Sequence, residues 1–274
     1  MGTLYVVATP IGNLGDLSDR ARETLRHVPV VFAEDTRVSR VLLSHIKSKA
    51  RLISHHEYSS PEDIEKALDA LQSGDAALVT DAGTPGLSDP GAAVVEGAVN
   101  RGHRVVSVPG PSAVAASLSI SGFPASRYLF LGFTGRTSKE RRAKLESAKG
   151  EPGPVVIFES PHRVRDLLED IDAVFDNRQL CVSRELTKLH EELFRGTAAA
   201  ALGYFDFPRG EFVVVVEGAG EKSQIGPTDE DVIAMLADGL RRGETGRTLV
   251  DGVTVESGVA RSRVYRLWLE MERE

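Results

Sequence analysis

The chain has 274 residues, 41% of them hydrophobic and 27% charged, an ordinary balance for a soluble globular protein with room for two buried cores. A formal net charge of −7 excludes a protein held on nucleic acid mainly by bulk charge and leaves only local basic patches for such contacts. No uncharged apolar stretch reaches the ~18 residues of a membrane span, and the single cysteine, Cys181, excludes an internal disulfide.

Met1-Gly2-Thr3-Leu4-Tyr5 enters a strand pattern with no basic leader region, so a cytoplasmic location with no membrane partner is expected. Residues 4–8 form a short apolar run closed by the turn Thr9-Pro10-Ile11-Gly12-Asn13. Ser18 caps an amphipathic helix with Ala21, Leu25 and Val28 at helical spacing. Residues 30–33 are the next strand, ending in Glu34-Asp35-Thr36-Arg37. A helix through Val41, Leu42 and Ile46 then leads to a strand near Leu52 and Ile53. Ser60-Pro61-Glu62-Asp63 supplies an N-cap, a first-position proline and early acids for another helix. Residues 76–79 are a strand running into Thr80-Asp81-Ala82-Gly83-Thr84-Pro85-Gly86; Asp89-Pro90-Gly91 opens a helix, and residues 104–108 are a further strand. Alternation of this kind predicts a mainly parallel sheet covered by helices, an α/β fold.

The second half mixes strand directions. After a helix over residues 112–121 come a strand at 128–131, a basic helix, a strand at 155–158, and a helix through Val164, Leu167, Leu168 and Ile171. Residues 180–183 and 192–196 are placed to pair antiparallel, and the five apolar residues 212–216 read as a fully buried strand. Cys181 lies in an apolar run where a small buried residue is the expected occupant, not a reactive thiol. Beyond Gly220 the chain turns polar, then helical, with Val232, Ile233, Leu236 and Leu240 on one face; residues 258–265 loosely match the second helix of a helix-turn-helix. The predicted organisation is an α/β domain over 1–115, a second over 116–224, and a helical tail over 225–274 that reads as an appendage without base readout.

Three strands of the first half end in small, turn-forming residues: Thr9 to Asn13, Asp81 to Gly86, and Pro109-Gly110-Pro111-Ser112-Ala113. Open α/β sheets bind ligands outside the carboxyl ends of their strands, and glycine there lets a ligand approach the backbone. Together with the acidic Asp81, these loops point to a nucleoside-type ligand. Phosphate-loop and dinucleotide fingerprints are missing, as are metal-ligand spacings and a serine-hydrolase elbow, so no metal is expected. His55, His56, His162 and His190 are isolated and take structural or surface roles. The stretch 136–149 carries Arg136, Lys139, Arg141, Arg142, Lys144 and Lys149 against Glu140 and Glu146; it is either a solvated helix face or a patch on RNA phosphates.

A more specific resemblance runs in order through the chain. Residues 4–16 (LYVVATPIGNLGD), 33–37 (AEDTR), 80–91 (TDAGTPGLSDPG), 108–113 (VPGPSA), 158–163 (FESPHR), 184–192 (RELTKLHEE) and 210–218 (GEFVVVVEG) resemble the signatures of the bacterial 16S rRNA cytidine 2′-O-methyltransferases, a branch of the tetrapyrrole-methylase superfamily. The match spans about residues 3–220 and fits the helical tail least. Tetrapyrrole members open with a more glycine-rich first loop than Thr9-Pro10-Ile11-Gly12-Asn13, which favours the RNA branch.

The resemblance implies two α/β domains with S-adenosylmethionine in the cleft between them. The cofactor contacts implied by position are Pro10, Asp81, Ala82, Gly83, Thr84, Pro85, Ser112 and Ala113 from the first domain, and Phe158, Glu159, Leu186 and Gly210 from the second. It also implies a homodimer acting on a decoding-centre cytidine of 16S rRNA in the small ribosomal subunit. A ribose 2′-hydroxyl is a weak acid, so a base or cation should help it lose its proton; Glu34, Asp35 and Lys188 are the candidates. Arg37, Arg136, Arg141, Arg142 and Arg163 are the candidate RNA contacts, with Arg37 and Arg163 placed to hold phosphate or to orient a carboxylate. Ion pairs Glu185–Lys188 and Glu34–Arg37 are the structural alternatives. Two rival functions remain: a precorrin-type tetrapyrrole C-methyltransferase, needing a wide apolar acceptor cleft, and a regulator binding duplex DNA through residues 227–274.

Overall fold

The computed structural model describes residues 1–56, 59–220, 229–257 and 259–271. They fall into two compact units, Met1–Ala219 and Gly220–Glu274. The expected boundary between residues 224 and 225 lies outside the described residues.

The first unit contains two five-stranded sheets. In the first sheet, β1 (Thr3–Val7), β2 (Val30–Ala33), β3 (Arg51–Ser54), β4 (Ala76–Val79) and β5 (Arg104–Val108) are all parallel, in the order β3-β2-β4-β1-β5. Helices α1 (Asp19–His27) and α2 (Thr36–His45) cover one face through Ala21, Leu25, Leu42 and Leu43. Helices α3 (Pro61–Ser73) and α4 (Ala92–Asn100) cover the other through Ala67, Leu68, Leu71, Val94 and Ala98. Because both faces are covered, every residue of β2 and β4 is buried, which is why these strands read as continuous apolar runs. The expected caps form: Ser18 Oγ accepts from the Ala21 N–H and Ser60 Oγ from that of Asp63. From β1 the chain departs toward β2, and from the adjacent β4 it departs the opposite way toward β5. Such a reversal opens a crevice at the carboxyl ends of the two strands.

Helix α5 (Ala113–Ser121) starts where β5 ends but packs on the second sheet. That sheet has the order β6 (Leu129–Phe133), β7 (Val155–Glu159), β10 (Phe212–Val216), β8 (Gln179–Arg184), β9 (Glu192–Thr197). Only the β6–β7 pair is parallel. Helices α6 (Ser138–Ala148), α7 (Val164–Phe175) and α8 (Ala198–Tyr204) cover the face carrying Phe212, Val214 and Val216, while Val114 and Leu118 of α5 cover the face carrying Val213 and Val215. Five consecutive apolar residues in β10 are thus shared between two cores, each side chain contributing roughly 1.5–3 kcal/mol on burial. The antiparallel pairing expected of residues 180–183 and 192–196 is present as β8 with β9. Cys181 is buried in β8, and burial pushes its thiol up, away from reactive thiolate chemistry.

The second unit comprises α9 (Asp229–Arg241), α10 (Gly246–Ser257) and α11 (Arg261–Met271) around Val232, Leu236, Leu249, Val250, Val253, Val264 and Leu267. Of the face expected on α9, Val232 and Leu236 are buried, whereas Ile233 and Leu240 are partly exposed. Among the described residues no helix is long and apolar enough to cross a membrane.

Candidate active site

The three loops anticipated as a ligand cradle are fastened to one another. The Thr9 N–H donates to the Gly83 carbonyl at 2.8 Å, and the Gly83 N–H returns the bond to Thr9 at 3.0 Å, a bridge spanning the crevice between β1 and β4. Thr9 Oγ1 also donates to the Thr80 carbonyl, and Thr84 Oγ1 donates to the Pro111 carbonyl at 3.2 Å. Gly83 adopts φ +82°, a left-handed conformation that a side chain would strain.

These loops wall one side of a cavity of about 310 Å³. Ala82, Gly83, Thr84, Ser112 and Ala113 face it from the first sheet's carboxyl edge; Phe158, Glu159 and Leu186 face it from the second sheet. Eight of the expected contacts therefore meet on one surface. Pro10, Asp81, Pro85 and Gly210 are not on the wall; Ile11, next to Pro10, takes that place. Asp81 instead joins two loops: its Oδ1 accepts the Asp35 N–H at 3.0 Å while its own N–H donates to Glu34 Oε2 at 3.4 Å. Gly210 sits at φ +77° against the Glu185 side chain, where a β-carbon would collide with it.

Sequence reasoning missed Leu87, Asp89, Phe133, Glu211 and Val213, all of which line the cavity. Phe133 is half exposed, its ring 5.9 Å from that of Phe158 in an edge-on arrangement. Asp89 lay within the quoted 80–91 segment but read only as the start of a helix. Burial, together with the negative charges of Glu34 and Asp81, pushes its carboxyl up to about 7.

The residues expected to handle protons separate sharply. Side-chain hydrogen bonds from Arg37 hold Asp35 down to about 2, so its carboxylate is a poor proton acceptor. Glu34 is engaged by the Asp81 N–H. Lys188 Nζ lies 2.9 Å from both Glu185 Oε1 and Glu211 Oε2. Burial pulls its pKa down, but the two carboxylates outweigh this and raise it, so Lys188 is a cation at neutral pH and not a base. Its stem rests on Gly12, where a β-carbon would stand 2.5 Å from Lys188 Cγ.

The candidate RNA contacts divide as well. Arg136 is exposed, and so is Arg37, which forks onto Asp35. Arg141, expected to face RNA, is 4% exposed and therefore cannot reach it: its Nε donates to Asp170 Oδ2 at 2.7 Å and its Nη1 to the Arg136 carbonyl. Arg142 donates to Asp170 Oδ1 at 2.6 Å with half its side chain in solvent. Lys144 caps the carbonyls of Leu131 and Phe133. The basic stretch is thus in large part an internal fastening of α6 to β6 and α7. Arg163 holds Glu159 Oε1 at 2.7 Å, the carboxylate-orienting option anticipated for it, and the Ser160 N–H donates to the same oxygen. Glu159 Oε2 is buried and has no partner. Among the described residues no cluster of side chains has the makings of a metal site.

Residues 3–202 match the family model of the tetrapyrrole (corrin/porphyrin) methylases. The chain is 38% identical to the Ribosomal RNA small subunit methyltransferase I of Synechocystis sp., with 100% of each chain covered. It is 44% identical to the protein of the same name from Thermotoga maritima, over 80% of this chain and 99% of that one. Among solved structures, a diphthine synthase superposes with a TM-score of 0.60 at 15% identity, over 80% of this chain and 90% of the other, a likeness of fold. Methyltransferases of this family take S-adenosylmethionine as methyl donor. With its parallel and mixed sheets, its loop-walled cavity and identity along its whole length, the chain belongs to the tetrapyrrole methylase family and, within it, to the small-subunit ribosomal RNA methyltransferase I group.

Proposed function

We propose that this protein transfers the methyl group of S-adenosylmethionine to the ribose 2′-hydroxyl of a cytidine in the decoding centre of 16S rRNA, acting in the cytoplasm as a homodimer. The observation that carries the reading is 38% identity, over the full length of both chains, to a relative whose name states a small-subunit ribosomal RNA substrate. The cavity is consistent with it.

The cavity residues fit the cofactor. Gly83 lines the cavity at φ +82°, a conformation that a side chain would strain, and leaves bare backbone for a ligand to approach. Glu159 lines the cavity with one buried, unpartnered carboxylate oxygen, an acceptor suited to an ammonium group or ribose hydroxyls. Phe158 and Leu186 supply apolar surface for a purine. When bound, S-adenosylmethionine supplies a methyl group already activated by the sulfonium charge.

The protein's own work is then mostly placement. Holding two reactants in line contributes on the order of 7–11 kcal/mol toward the barrier. Lys188, kept cationic beside the wall residue Glu211, lowers the pKa of an acceptor hydroxyl by its charge. Phe133 offers a half-exposed ring on which an extruded base stacks. Arg136 and Arg37, both exposed, hold flanking phosphates.

The test is methyl transfer from radiolabelled S-adenosylmethionine to 30S subunits lacking the modification, followed by identification of the labelled nucleoside. Label in 2′-O-methylcytidine supports the reading. No label in RNA with cofactor binding intact would return the tetrapyrrole acceptor to first place.

A further inference from the structure

Three carboxylates among the described residues line the cavity: Asp89, Glu159 and Glu211. Two are committed to cations. Glu159 is paired with Arg163 at 2.7 Å and Glu211 with Lys188 at 2.9 Å. Asp89 makes no hydrogen bond or ion pair with any described residue, and it is half-buried on the wall.

Its placement is unusual in a second respect. The preceding residue, Ser88, has φ +65°, a left-handed conformation that strains a non-glycine residue. Gly91 follows at φ +134°, packed so that a β-carbon would stand 2.8 Å from Leu78 Cδ2. Ser88 itself occupies the space over Gly132 of β6, where a β-carbon would stand 2.5 Å from Ser88 Oγ. The loop is therefore held between the two sheets, and the strain is kept at the residue that sets the direction of Asp89.

We infer that Asp89 is the general base that takes the proton from the acceptor hydroxyl during methyl transfer. This rests on the reading that the acceptor is a hydroxyl. In the step, the Asp89 carboxylate binds the hydroxyl proton while an oxygen electron pair forms the O–CH3 bond. The S–CH3 bond breaks with its pair on sulfur, leaving a neutral thioether, and the Asp89 carboxylic acid then releases its proton to water. A base performs best with a pKa near the working pH, and Asp89 has one at about 7 because burial, Glu34 and Asp81 all oppose its charge. The other charged groups on the opposing wall are Glu159, paired with Arg163, and Glu211, which shares Lys188 with Glu185.

Asp89→Asn should cut kcat/KM for 30S methylation by about 10²–10⁴-fold, with S-adenosylmethionine affinity by calorimetry unchanged. The wild-type rate should rise tenfold per pH unit up to about 7 and level off above it; Asp89→Asn should show no such inflection. Asp89→Glu, keeping the carboxylate, should recover at least part of the loss. Independently of turnover, carbon-13 NMR of the free protein should show one aspartate carboxyl titrating near 7, absent in Asp89→Asn. An Asp89→Asn enzyme with wild-type rate and pH profile would overturn the inference. So would a loss of cofactor affinity matching the loss of rate, or an Asp89→Glu enzyme no faster than Asp89→Asn. A wild-type protein that labels no hydroxyl refutes the proposed function instead, and the NMR titration still reports on Asp89.

Discussion

Replacing Asp170 by alanine removes the anion at the centre of the α6–α7 contact. Asp170 is 2% exposed and accepts from Arg141 Nε at 2.7 Å, Arg142 Nε at 2.6 Å and Ser138 Oγ at 2.7 Å. Without it, Arg141, whose side chain is 5% exposed, keeps only the Arg136 carbonyl at 3.2 Å and the solvent-facing Asp166 at 3.7 Å. Breaking one partner from a buried pair costs about 3–5 kcal/mol. The two residual contacts place this case at the lower end, and Arg142, half in water, adds at most ~1 kcal/mol. The expected loss is about 3–4 kcal/mol by chemical denaturation, which would lower the Tm by roughly 6–16 °C for a unit of this size. Burial pushes the Asp170 carboxyl up, but the bonds from Arg142, Ser138 and Arg141 outweigh it and hold the pKa below the ordinary 3.8. A lowered carboxylate contributes stability above pH ~4 that is lost as pH falls through the lowered value. The gap between wild type and Asp170→Ala should accordingly be full at pH 7 and shrink below pH ~4. Adding Arg141→Met to Asp170→Ala should restore at least ~1 kcal/mol by removing the stranded charge. A single-variant loss under ~1 kcal/mol, or a gap that persists undiminished at pH 3, would refute the reasoning.

Three further outcomes follow from the site. Gly83→Ala should weaken S-adenosylmethionine binding at least tenfold and cost about 1–2 kcal/mol of stability, because a side chain at φ +82° is strained and points its β-carbon toward Ile11; an unchanged Kd by calorimetry would count against the cavity as cofactor site. Arg136→Ala should weaken 30S binding and lower the slope of log affinity against log salt by about one, leaving stability and cofactor binding alone, whereas Arg141→Met should lose stability first. Lys188→Ala should slow methyl transfer without removing the pH inflection assigned to Asp89, since the raised lysine pKa keeps it out of proton exchange at neutral pH; loss of that inflection in Lys188→Ala would contradict this.

The βα alternation of the first half was legible because most of its strands centre on apolar residues and several of its helices carry their own side-chain cap, as Ser18 and Ser60 do. These are local signals, readable within a few residues. The loop cradle was legible for the same reason: small residues after three strands mark where a backbone must be approached. What sequence could not yield was pairing at a distance. Arg141 reads as one more cation on a basic helix; only its meeting with Asp170, brought in by α7, makes it a buried fastener. Asp89 likewise reads as an opening acid of a helix, and its character depends on Glu34, Asp81 and the burial around them. Phe133 gave no sign at all, since an aromatic at a strand end is ordinary; its place on the cavity wall comes from the fold that sets β6 against the β4–α4 loop.

Helix α5 begins on the first sheet's edge, with Ser112 and Ala113 on the cavity wall, and packs one face, Val114 and Leu118, against the second sheet. During synthesis, the parallel sheet can be complete while β10, which supplies Phe212 and Val213 to the same wall, has yet to leave the ribosome. The nascent first half therefore has loops in place but nothing to close them on, and ligand cannot assist its folding. With the cavity as the proposed cofactor site, binding becomes a late event that reports a finished first unit, and S-adenosylmethionine protects only chains that have already passed the stage at which exposed strands aggregate.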